Sequence, residues 1–168
     1  MTANPLILTL TLNKEAFEFF TSLRDAHFPP ERNFLKAHLT LFHHLPPGES
    51  TIHEVLSAVC LHQKQMKLEV PGLMNIGNGV AYKIASEELQ QLHKNLQQQW
   101  QPLLIPQDKQ KLHPHITVQN KVAPAVAKEL ESTLKDTFVP FTIVGIGLTL
   151  WEYMGGPWKL YREYSFQP

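Results

Sequence analysis

From Leu6 to Leu12 apolar residues alternate with threonine, a period of two that predicts a strand with one buried face. The period then changes. Phe17, Phe20 and Leu23 recur at helical spacing, and the helix they predict must end before Pro29-Pro30. A second strand is expected over 37–42, followed by a break at Pro46-Pro47-Gly48. Thr51-x-x-Glu54 has the form of a capping box and predicts a second helix that buries Ile52, Val55, Leu56 and Val59. Residues 66–73 alternate again and close this part of the chain as a strand.

The same order then returns. Residues 80–85 predict a strand, and Ser86 is placed to cap a helix whose apolar face is Leu89, Leu92, Leu96 and Trp100. Pro102 and Pro106 end it and begin an irregular stretch to about residue 111. A strand over 115–119 follows. Pro124 suits the first turn of another helix, with Val126, Leu130 and Leu134 on its stripe. Strands over 142–151 and 158–166 are joined by Met154-Gly155-Gly156-Pro157, a strong turn signal. Matching elements recur at a nearly constant interval. The expected fold is therefore α+β: a duplicated strand–helix–strand–helix–strand unit whose antiparallel-rich sheets face a central cleft. All 168 residues form one domain, with a first lobe of about 1–75, a second of about 76–168, and a final strand that crosses between them.

The central strand of each half carries the same triplet, His38-Leu39-Thr40 and His115-Ile116-Thr117. Residues i and i+2 of a strand share a face, so each triplet presents an imidazole beside a hydroxyl while its middle residue points to the core. Two such strands brought together would place two titratable rings and two hydroxyl donors on one cleft. One neutral imidazole can take a proton from an attacking water, and a protonated one can return a proton to a leaving oxygen. The threonines can donate to an oxygen on which negative charge builds. That division of labour serves in-line displacement at phosphorus and requires neither a metal nor a cofactor.

Composition narrows the partners. Fifteen basic residues balance fifteen acidic ones, which argues against a strong grip on long nucleic acid and leaves a small phosphate ester or an RNA end open. The single cysteine, Cys60, falls on an amphipathic helix and rules out an internal disulfide. No apolar run approaches the roughly 20 residues of a membrane span, and no signal peptide is evident at the start. A cytoplasmic monomer is the expectation.

The two triplets, their placement and the duplicated order resemble the 2H phosphoesterase superfamily, which holds the 2'-5' RNA ligase-like proteins and cyclic phosphodiesterases. The lead-in from Arg32 to Phe42 also resembles the bacterial 2'-5' RNA ligase-like branch. The resemblance spans nearly the whole chain and rests on His38, Thr40, His115 and Thr117. It implies a bilobal fold and hydrolysis of a 2',3'-cyclic phosphate at an RNA or nucleotide end, with 2'-5' ligation as the reverse reaction. The working assignment makes His115 the base and His38 the acid; the near symmetry of the motifs leaves that order open.

Further candidates flank these four. Lys36, Lys109 and Lys111 are candidate phosphate contacts, with Lys83 and Arg162 behind them. Tyr82 and Trp158 are candidate base-stacking rings, as are Trp151, Tyr153 and Tyr161. His44 and His113 share the triplet faces if their strands extend that far; Pro46 and Pro114 point instead to loops. His27, His53, His62 and His93 are assigned to packing or surface. Two alternatives compete with the metal-free hydrolase. One is a zinc-dependent hydrolase built on His38, His43, His44, His113 and His115, although no HExxH pattern occurs. The other is a domain that binds RNA ends or nucleotides without turning them over.

Overall fold

A computed structural model describes residues 3–168. Among them are seven strands and four α-helices: β1 (Leu6–Leu12), α1 (Lys14–His27), β2 (Leu39–Leu45), α2 (Ser50–His62), β3 (Met66–Asn75), β4 (Val80–Ala85), α3 (Glu87–Trp100), β5 (His115–Gln119), α4 (Pro124–Thr137), β6 (Phe141–Tyr153) and β7 (Trp158–Ser165). Short 3-10 turns at Pro30–Arg32, Gln101–Leu103 and Pro106–Lys109 fill the connections. No helix among the described residues is long and apolar enough to cross a membrane.

Every pairing between these strands is antiparallel, in the order β2-β1-β6-β3-β4-β5 with β7 beside β6. Strand β6 organises the sheet. One edge of it pairs with β1; along the other, residues 141–145 pair with β3 and residues 147–153 with β7. The sheet forks at Gly145-Ile146-Gly147, where a Cβ on Gly147 would stand 2.4 Å from the Tyr164 carbonyl oxygen. Although β2 and β5 end the main path, they touch each other, so the sheet curls until its two ends form the walls of a cleft.

The helices cover the outside in a crossed arrangement. On one side, α1 and α4 pack on β3, β4 and β5; Phe20 of α1 meets the Tyr82 ring edge-on at 5.3 Å. On the other, α2 lies against β6 and β7, and α3 reaches β2 through Trp100 and His93, which contact Phe42. The expected lobes of residues 1–75 and 76–168 therefore do not follow the sheet. Strand β3 joins β4 and β5 rather than β1 and β2, α1 crosses to the β5 side, and α3 crosses to the β2 side. The element shared by both is β6, whereas the final strand, β7, pairs only with β6.

Most local expectations correspond to elements. Ser86 caps α3 by accepting the Leu89 N–H at 3.1 Å, and Pro124 opens α4. Cys60 is buried, and burial raises its thiol to about 11. Three details differ. Helix α2 begins at Ser50 after Glu49, with no side-chain cap, so the Thr51–Glu54 capping box does not form. The α1 stripe buries Ala16, Phe20 and Arg24 while Phe17 faces solvent, and Val126 of α4 is likewise exposed.

Candidate active site at the ends of the sheet

The cleft between β2 and β5 holds about 470 Å³ and takes in His38, Thr40, His115, Thr117 and Trp158. Each wall is built the same way. His38 sits immediately before β2, and its Nδ1–H donates to the Lys36 carbonyl at 2.8 Å. His115 opens β5, and its Nδ1–H donates to the His113 carbonyl at 2.9 Å. A carbonyl only accepts, so each clamp fixes the hydrogen on Nδ1 and leaves Nε2 for a substrate. Leu39, Leu41, Ile116 and Val118 are buried behind the walls. No hydrogen bond within the protein engages the Thr40 or Thr117 hydroxyl among the described residues.

The floor is polar. Thr9 lies opposite Thr40, and its hydroxyl accepts the Trp151 Nε1–H at 2.9 Å; Thr11 and Thr149 share a hydrogen bond of 2.6 Å beside it. The Trp158 ring lies 4.6 Å from that of His38 and 6.2 Å from that of Trp151. Burial lowers the His38 pKa to about 4, with smaller repulsions from Arg24, His115 and His43, while the hydrogen bond to the Lys36 carbonyl works the other way. His38 is therefore neutral at neutral pH.

Arg24 is not among the residues that the sequence singles out. It is buried at the end of α1, where its Nε donates to Asn33 Oδ1 at 2.9 Å and its Nη1 to the Thr117 carbonyl at 3.3 Å. Its guanidinium also stacks over Phe28, and burial lowers its pKa to about 10. Its position one helical turn after Phe20, on the buried stripe, is the available signal. Asp108 is a second residue of this kind. Its carboxylate, 3% exposed, accepts the His43 N–H and Nδ1–H on Oδ1 and the His44 N–H on Oδ2. It ties the irregular 101–114 segment to β2.

The remaining candidates divide. Trp158 and Lys111 line the cleft. Lys83 pairs with His115 across β4 and β5 and lines an adjoining cavity that also includes Lys111 and His113. Lys36 contributes its carbonyl to the His38 clamp, while its side chain, like that of Lys109, is exposed and outside the cleft lining. Tyr82 is a correction: paired with Ile116, it faces the core and packs against Phe20, Phe138 and Phe141, so it cannot stack on a base in the cleft. His43, not His44, faces the cleft. A bulge sets Leu8 opposite Phe42 but Thr9 opposite Thr40, and the extra residue reverses the alternation beyond Leu41. His113 lines the cleft from the loop before β5. His93 is buried, with its Nε2 hydrogen-bonded to the Leu41 carbonyl at 3.0 Å. The zinc alternative lacks its cluster: among the described residues no three His, Cys, Asp or Glu side chains are placed to hold a metal ion.

Residues 12–157 match the family model of the 2'-5' RNA ligase superfamily, and the chain belongs to that superfamily. It is similar in structure to TT0787 of Thermus thermophilus (TM-score 0.69, 16% identity, 97% of this chain and 98% of that one). A protein described as a phosphoesterase aligns with a TM-score of 0.65 at 20% identity, over 99% of this chain and 100% of its own. E. coli LigT complexed with 3'-AMP aligns at 0.61 and 20% identity, over 98% and 99% of the two chains. These likenesses establish the LigT-like fold. No curated protein sequence matches the chain.

Proposed function

We propose that this protein is a metal-independent phosphodiesterase that opens 2',3'-cyclic phosphates on a nucleotide or RNA end, with 2'-5' ligation as the reverse reaction. The observation that carries this is the pair of identically clamped imidazoles in one cavity, each two residues from an unengaged threonine hydroxyl. His38, neutral in the cleft, is the base, and His115 is the acid; this reverses the working assignment from sequence, because burial withholds a proton from His38. His38 Nε2 takes a proton from water as its oxygen bonds to phosphorus. The opposite P–O bond breaks, and His115 gives its proton to the departing ribose oxygen, leaving a phosphate monoester and a free hydroxyl. Thr40 and Thr117 donate to the non-bridging oxygens as charge builds there. In the ligation direction a ribose hydroxyl takes the place of water.

Structures of E. coli LigT complexed with 3'-AMP, phosphate, NADP+ and ATP support a small nucleotide ligand. The proposed partner is accordingly a small phosphodiester or RNA end met by a cytoplasmic monomer. The test is turnover of 2',3'-cyclic AMP. His38→Ala and His115→Ala should each lower kcat by about 10³-fold or more with thermal melting retained, and a chelator should leave wild-type activity unchanged. Binding with no turnover across cyclic nucleotides would replace this proposal with the binding-only one. Activity lost to chelator and restored by Zn²⁺ would replace it with a metal hydrolase.

A further inference from the structure

The cleft holds a further imidazole that the proposed reaction leaves unused. His43 lines the same cavity as the two histidine–threonine pairs, three residues past Thr40 along β2 and beyond the bulge. Its orientation is fixed from behind. Nδ1 meets Asp108 Oδ1 at 3.1 Å as an ion pair when the ring is protonated, and the His43 and His44 backbone N–H groups hold the same carboxylate at 2.8 and 2.9 Å. Asp108 also borders this cavity, but its carboxylate is buried and both oxygens accept hydrogen bonds from His43 and His44, donors that offset its charge toward a neighbouring anion. What faces the cavity is the other end of the His43 ring. Lys111, with no ion pair of its own among the described residues, lines the same space.

The reacting phosphorus already has its donors, two imidazoles for the apical oxygens and two hydroxyls for the others. We infer that His43, positioned by Asp108 and assisted by Lys111, binds a second phosphate of the substrate, one on the 5' side of the nucleotide that carries the cyclic ester. The inference rests on the proposed reaction for the orientation of the nucleotide, and it narrows the substrate class. A nucleotide with a 5'-linked phosphate, as at an RNA end, is preferred over a nucleoside cyclic phosphate alone. Charge-assisted hydrogen bonds to such a group are worth about tenfold or more in affinity.

The test compares binding of adenosine 2'-monophosphate and adenosine 2',5'-bisphosphate to the full chain by calorimetry at one fixed pH. The wild type should favour the bisphosphate by about tenfold or more. His43→Ala should bring the ratio close to one, and His43→Gln guards against a folding defect in that variant. His44→Ala, on the same strand but facing away, should keep the full ratio. Asp108→Asn should lower the ratio and change the ¹⁵N shifts of the His43 ring, as loss of its fixed tautomer requires, which a merely structural role would not do. Equal binding of both ligands by the wild type, or a ratio that survives His43→Ala and His43→Gln, would overturn the inference. A bisphosphate preference without turnover of cyclic phosphates would remove the hydrolase proposal and leave this site standing. Turnover without that preference would do the reverse.

Discussion

The two walls of the cleft carry the same triplet and the same ring clamp, yet they are chemically unequal. His38 is half-buried against the Trp158 ring and near Arg24, and burial pulls it down to about 4. His115 stands exposed at the start of an edge strand, with Lys83 as its cross-strand neighbour. The supports differ too. The β2 wall is braced by α3 and by Asp108, and the β5 wall by Arg24 from α1. Two copies of one motif thus differ through what surrounds each, because their local sequence makes no such distinction, and the proposed acid and base roles rest on that difference.

The comparison can be broken first at the hydroxyls. Thr40→Val and Thr117→Val should each lower kcat on 2',3'-cyclic AMP by about 10²-fold, measured in steady-state assays. A large gap between the two variants would show that the walls share the developing charge unequally. The protonation asymmetry gives the next effect. A base must be deprotonated, so with His38 at about 4 the acid limb of the kcat/KM profile should lie near pH 4. Trp158→Ala admits water beside the ring and should move that limb upward, toward the ordinary histidine value. The same depressed value bears on stability. Below the unfolded pKa the unfolded chain binds a proton that the folded ring refuses, so this contribution is present above about 6.5 and is lost as pH falls toward 4. Acid unfolding of His38→Gln should be correspondingly shallower. The smallest effect is on the supports: Arg24→Met should cost about 1–3 kcal/mol in denaturant unfolding, since it strands the Thr117 carbonyl and Asn33.

Much of this is legible from period and punctuation. Alternation locates the strands, Ser86 and Pro124 locate helix starts, and i, i+2 spacing places each histidine beside its threonine. What escapes depends on partners distant in the chain. The bulge that turns His43 rather than His44 into the cleft exists only in the register between β1 and β2. Tyr82 is an aromatic on a strand from either side, and only the arrival of Phe20 and Phe141 decides that its face is the buried one. Asp108 sits in an irregular segment without periodicity, and its worth comes from two backbone amides it meets across the fold. Thr51 loses its capping role because the N-cap falls two residues earlier, at Glu49. The repeat in element order is visible as well, but the exchange of α1 and α3 between the two sides leaves no trace in order alone.

The fork in β6 has a consequence for how the molecule comes into being. Both triplets are complete by residue 117, but within the sheet the β1–β2 pair is hydrogen-bonded to the β3–β4–β5 group only by way of β6, residues 141–153. A chain synthesised only as far as β5 therefore carries both triplets before it carries the strand that joins their two walls into one sheet.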